Sequence, residues 1–312
     1  MAGGRQYAQS SYNLWMRRAT LAAVALALVF PIADAGAWGY EAHKFVMDRA
    51  IALLPTEIRP LFEANRAALV ERAIDPDTWQ NAGFDNVESP NHFLDLDWEG
   101  YGKYPYPDLP RDYTAAIARF GKPRIDQNGT LPWRVEEMYG NLRRAFEAYG
   151  RRGAFGRYDI VHNAAWLAHY VSDAHVPFHA VVNYDGQLTG QNGIHSRFES
   201  FLFERYHTRL TIAPRPMAPI RNPRDFIFET VIAGTQMVPP ILKSDLEAIG
   251  SRDVYDDAYY EAFYTANRGV LERRVNESIS AIAAMIAGAW EAAGRPALRL
   301  DPPPAAPQRR RR

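Results

Sequence analysis

Residues 162–199, HNAAWLAHYVSDAHVPFHAVVNYDGQLTGQNGIHSRFES, constrain the fold more than any other stretch of the chain. His169 and Asp173 stand four apart, as do His195 and Glu199, so each pair projects an imidazole and a carboxylate from one face of a helix. Between the pairs lie His175, Pro177 and His179; Pro177 disfavours helix at Val176, so the first helix must stop there. One such pair is ordinarily a solvated contact, but two pairs with a histidine between them make a nitrogen and oxygen donor set that suits zinc.

The rest of the chain is read as helical. Apolar residues recur at helical spacing over residues 40–54, 55–74, 111–120, 134–150, 157–174, 194–208, 224–237, 252–266 and 268–292. No sustained alternation of period two, internal repeat or glycine-rich phosphate loop interrupts them, so the expected class is all-α. Residues 75–108, rich in Asp, Asn, Gly and Pro, read as a long irregular connection bearing Asp75, Asp77, His92, Asp95 and Asp97. Its aromatic tail, Trp98, Tyr101, Tyr104 and Tyr106, either lines a substrate cleft or packs on a helix surface.

The formal charge is zero, so no global basic field announces a nucleic-acid binder. The N-terminus reads as a secretory signal: Arg17 and Arg18, an apolar run from Ala19 to Ala33, then the A-x-A box Ala35-Gly36-Ala37. Met16 would start that signal, leaving residues 1–15 as an upstream extension. Cleavage after Ala37 would make Trp38 the first residue of a secreted or periplasmic protein, although retention as an anchor stays open. Export would permit disulfides, yet there is no cysteine, so core and metal must provide the stability. A catalytic domain is expected over 38–295, and residues 296–312, ending DPPPAAPQRRRR, read as a flexible basic tail.

The ordered pattern is Trp38, His43 five residues later, Asp77 and His92 fifteen apart, then H-x3-D-x5-H (His169, Asp173, His179) and H-x3-E (His195, Glu199). It resembles the superfamily of zinc-dependent phospholipases C and single-strand-specific nucleases, over Trp38 to about Phe201. The resemblance implies an all-α domain with three zinc ions in a cleft. One would be held by Asp77, His92, His169 and Asp173, and a second by His179, His195 and Glu199. A third would take His43, a bridging Asp173, and the amino nitrogen and carbonyl oxygen of Trp38, which makes leader cleavage a condition for activity. Asp75 competes with Asp77 and His175 with His179; the family order favours Asp77 and His179. His162 reads as a hydrogen-bonded core residue or a group orienting a ligand, and His207 as superficial.

Clustered zinc ions lower the pKa of a bound water and neutralise phosphodiester oxygens, so the expected reaction is in-line attack of activated water on phosphorus, with Asp77 orienting or deprotonating that water. The segment Gly193-Ile194-His195-Ser196-Arg197-Phe198-Glu199 and the absence of cysteine resemble the phospholipase branch, whereas the short Trp38-to-His43 interval resembles the nucleases. Phospholipase C-like activity, with transient contact at a membrane surface, is the preferred expectation. A nuclease or nucleotidase acting on single-stranded nucleic acid, with Phe93, Asp95 and Asn192 at the base, is the alternative. A zinc-stabilised binding module is the non-enzymatic reading, though a second cluster with three protein ligands keeps a position open.

Overall fold

In the computed structural model, residues 39–151 and 156–300 are described; the leader, Trp38 and residues 301–312 lie outside them. The described residues are helical, with no strand among them. None of their helices is long and apolar enough to cross a membrane.

The core is built on four helices: α1 (Tyr40–Ile51), α8 (Leu131–Gly150), α9 (Gly156–Asp173) and α14 (Asp257–Ala292). Between α1 and α8 come the short helices α2 (Arg59–Ala64), α3 (Arg66–Arg72), α4 (Asp75–Trp79), α5 (Asp85–Glu88), α6 (Tyr113–Phe120) and α7 (Lys122–Asn128). Between α9 and α14 come α10 (Ile194–Ser196), α11 (Leu202–Tyr206), α12 (Pro223–Thr235) and α13 (Val238–Ile249). Helices α8 and α9 pack along each other, and α14 reaches α1, α8, α9 and α13. The starts of α6, α12 and α14 are capped by Asp112, Asn222 and Asp256, whose side chains accept from the backbone N–H three residues on, worth about 1 kcal/mol each.

The second half of α14 is buried on every side, from Ser278 to Trp290, which explains its run of Ala, Ile, Ser and Gly. A side chain at Gly288 would sit 1.9 Å from the Ile220 carbonyl, so only glycine lets that segment cross the helix here. Ile220 in turn donates to the Ala284 carbonyl, and Tyr139 Oη donates to the Ile220 carbonyl.

Three expectations are corrected. The break expected near residue 267 is absent, because Gly269 sits in open space within a continuous α14. Helices α7 and α13 form where none was expected, since their prolines occupy the first turn, which needs no N–H donor. Residues 75–92 are not irregular but a succession of short helical turns, with π-helical residues 80–84 and a 3-10 turn at Ser89–His92. As for the aromatic tail, Trp98 and Tyr101 pack edge-on against Phe120 of α6, Tyr106 is buried and Tyr104 alone is exposed.

Candidate metal centre

Eight of the nine expected ligand positions fall in described residues, and the fold brings all eight into three adjoining groups: His43, Asp77 and His169; His92, His169 and Asp173; and His179, His195 and Glu199. Trp38, the ninth, lies outside the described residues. Helix α1 presents His43, α4 presents Asp77, the 3-10 turn after α5 presents His92, and the last turn of α9 presents His169 and Asp173. His179 sits on a second 3-10 turn, Pro177–Ala180. His195 belongs to α10, and Glu199 to the π-helical turn Arg197–Phe201 that continues it.

Around the first centre, His92 Nδ1 lies 3.0 Å from Asp173 Oδ2, 3.6 Å from Asp77 Oδ1 and 3.1 Å from His169 Nε2. His169 Nε2 lies 3.5 Å from Asp77 Oδ1 and 3.3 Å from Asp173 Oδ2. The second oxygen of each carboxylate turns to His43, whose Nε2 is 3.4 Å from Asp173 Oδ1 and 3.9 Å from Asp77 Oδ2. Asp173 and Asp77 therefore each bridge two groups. In the other cluster, Glu199 Oε2 stands 3.6 Å from His179 Nε2 and 2.5 Å from His195 Nε2. That last contact lacks hydrogen-bond alignment, and neither Glu199 oxygen has a hydrogen-bond partner.

Backbone and hydroxyl partners fix the histidines. His169 Nδ1 donates to the Ala73 carbonyl (2.8 Å), His179 Nδ1 to the His92 carbonyl (2.7 Å) and His43 Nδ1 to Ser172 Oγ (2.7 Å), whose own proton goes to the His169 carbonyl. Each bond leaves Nε2 as the lone-pair nitrogen facing the cluster, the outer arrangement that metal-binding histidines require. His92 is turned the other way: Nδ1 enters the cluster, and Nε2 lies 3.6 Å from Glu88 Oε1, an electrostatic contact rather than a hydrogen bond. Tyr170 Oη donates to Glu88, and Arg134 lies 3.6 Å away. Sequence reading missed Glu88, Ser172 and Tyr170, although Glu88 stands at the same i,i+4 spacing to His92 as the two pairs that were noticed.

Electrostatics describe a cluster that could hold cations. Burial pushes the Asp77 carboxyl well above the usual range against the pull of the His92 and His179 imidazoles, and the Asp173 and Glu199 charges push the same way as burial. For Asp173 burial is overcome by His169, His92 and His43, which hold it below the usual range. Burial likewise opposes the charge on His92, but its hydrogen bond to Asp173 and the nearby Glu88 and Asp77 carboxylates win and lift it to about 10. His43 falls to about 4 through burial. Both Asp77 oxygens, Asp173 Oδ1 and both Glu199 oxygens are buried without hydrogen-bond partners, a costly state unless a cation faces them. A donor set of imidazole nitrogen and carboxylate oxygen, with no sulfur, fits a divalent metal ion.

The competing residues lie elsewhere. Asp75 accepts from Trp166 Nε1 and pairs with Arg72, outside the groups. His175 is buried in the turn after α9, donates to the Val171 carbonyl in the last turn of that helix, and is held neutral down to about 3 by burial and the Arg274 charge. His162 stacks on Trp166, and His207 on Phe203. Phe93 is half-buried against Gly129, where a side chain would meet it at 2.7 Å. Asp95 is half-buried; burial first, then the Asp97 charge, raise its carboxyl to about 7. Asn192 is exposed, and its carbonyl accepts from Arg197. A scan against protein-family models finds no match, and a search of the curated proteins finds none either.

Proposed function

We propose that the chain is an exported zinc-dependent phosphodiesterase that takes a phospholipid, with three zinc ions. The observation that carries this reading is the run of eight buried or half-buried donors, several of whose carboxylate oxygens have no hydrogen-bond partner. Zinc bonded to nitrogen and oxygen at about 2.0–2.1 Å sets tetrahedral donors about 3.3–3.4 Å apart. The separations around His92 and His169, 3.0 to 3.6 Å, bracket that spacing, which supports zinc at this centre.

Bound there, zinc supplies Lewis-acid stabilisation of phosphoryl oxygens and acidifies water. The chain does the rest. His195, 21 % exposed, is the only described ligand not buried, so substrate approaches from its side. Asp77, with one oxygen toward each adjoining group, is placed to orient the attacking water and take its proton. No serine, threonine or cysteine nucleophile is required.

The lipid assignment rests on charge. The segments that join Asp77 to His92 and His179 to His195 contain Asp85, Glu88 and Asp185 but no Lys or Arg. Their outward side chains include Phe84, Val87, Tyr184 and Leu188, and the Tyr184 ring lies 6.2 Å from that of His195. A polyanion binds largely through Lys and Arg contacts to its phosphates, and these segments offer none. A zwitterionic lipid with apolar chains suits them better.

The test uses protein beginning at Trp38, with zinc content by elemental analysis and hydrolysis of phosphatidylcholine and single-stranded DNA measured side by side. About three zinc ions with lipid cleavage is expected. DNA cleavage alone would move the chain to the nuclease reading, metal without hydrolysis of either would favour a binding module, and no metal in zinc-supplied protein would end the proposal.

A further inference from the structure

His195 and Glu199 flank Arg197, which at two residues from each points to the opposite side of the helix. Arg197 is 4 % exposed, and every nitrogen of its guanidinium donates. Nε donates to Asp245 (3.2 Å) and Tyr259 Oη (3.0 Å), Nη2 to Asp245 (3.1 Å) and the Gln191 carbonyl (3.1 Å), and Nη1 to the Asn192 carbonyl (2.8 Å). The Tyr255 ring covers it at 4.0 Å. Asp245, 1 % exposed, also receives Tyr259 Oη and Gln191 Nε2. From the other end, Asp185 accepts from the N–H groups of Gly193 and His195.

A buried ion pair of this kind is weak evidence for stability, because apolar residues of similar volume are often as good; what it supplies is a unique orientation. Here the orientation is that of a three-residue helix running into a π-helical turn, a rare single-turn form that recurs at functional sites. We propose that Arg197, gripped by Asp245, is a positioning residue that sets the rotation of the ligand helix. It thereby makes metal occupancy of the His179–His195–Glu199 cluster separable from occupancy around His169. The donors around His169 are fixed by other means, through Ser172, the Ala73 carbonyl and Glu88. The inference rests on the zinc reading above.

The experiment is zinc titration of the protein against a competing chelator, with helical circular dichroism as the control for folding. Wild type is compared with Arg197→Met/Asp245→Leu, which keeps volume and removes both charges, and with Arg197→Lys, which keeps the charge but loses the fork to the Gln191 and Asn192 carbonyls. In the double variant one equivalent is expected to weaken by about tenfold or more, the others staying within about twofold of wild type. Arg197→Lys should weaken the same equivalent to a smaller degree. Equal loss of every equivalent, or no loss in either variant, overturns the proposal. If the double variant does not fold, Arg197→Lys decides by the same criterion. Wild-type protein that binds no zinc would refute the metal reading itself, a separate result.

Discussion

Replacing Asp95 by Asn should make the metal-free protein more stable at neutral pH and leave it nearly unchanged at pH 4. The Asp95 carboxyl ionises at 3.8 in an unfolded chain but at about 7 in the folded one, because burial and the Asp97 charge favour its neutral form. Its Oδ1 has no hydrogen-bond partner. A folded-state pKa raised above the unfolded value gives stability that is whole below pH 3.8. It is lost as pH rises toward 7, since the unfolded chain releases its proton first. The gap of about three units, at about 1.4 kcal/mol each, amounts to about 4 kcal/mol lost across that window. Water reaching a half-buried group trims this to about 2–4 kcal/mol. Asn carries no proton to lose, so the variant escapes the penalty. The assay is paired urea unfolding of wild type and Asp95→Asn in chelator, at pH 4.5 and 7.5, reading the midpoint difference. A gain of about 2 kcal/mol or more at pH 7.5 that shrinks by more than half at pH 4.5 is expected. An equal difference at both values, or a less stable variant at pH 7.5, refutes the argument.

Glu88→Gln should weaken zinc at the centre holding His92 by about 10–100-fold, measured by chelator competition, because the charge behind Nε2 is removed while its shape is kept. His169→Ala and Glu199→Ala should each lose metal and most hydrolysis, whereas His207→Ala, outside every donor group, should keep both; equal loss from all three would point to unfolding instead. Gly288→Ala should lower stability by about 2 kcal/mol or more in thermal unfolding, since the new methyl meets the Ile220 carbonyl.

The side chains that gather in the three groups stood out in the sequence because residues four apart on a helix declare a common face. The short helices were less so. No helix is expected over 238–249, and 75–108 reads as irregular on its Asp, Asn, Gly and Pro content, whereas a proline in a first turn costs no hydrogen bond. Treating 75–108 as irregular hid the Glu88–His92 pair, which depends on that same turn.

What spacing does not supply is the direction in which a histidine faces, as His169 and His175 show. Both are buried, both lie in the same stretch of sequence, and both donate Nδ1 to a backbone carbonyl. His169 donates to Ala73, just before α4, and so sends Nε2 between Asp77 and Asp173. His175, in the turn beyond α9, donates back to Val171 of that helix and stands beside Arg274, whose guanidinium binds the Ala174 and His175 carbonyls. A cation cannot settle next to that charge, while the carboxylates beside His169 invite one. The choice between two histidines six residues apart is thus made by one carbonyl and one arginine roughly a hundred residues away in sequence, at Ala73 and Arg274. Only the packing of α9 against its neighbours brings those groups to the site.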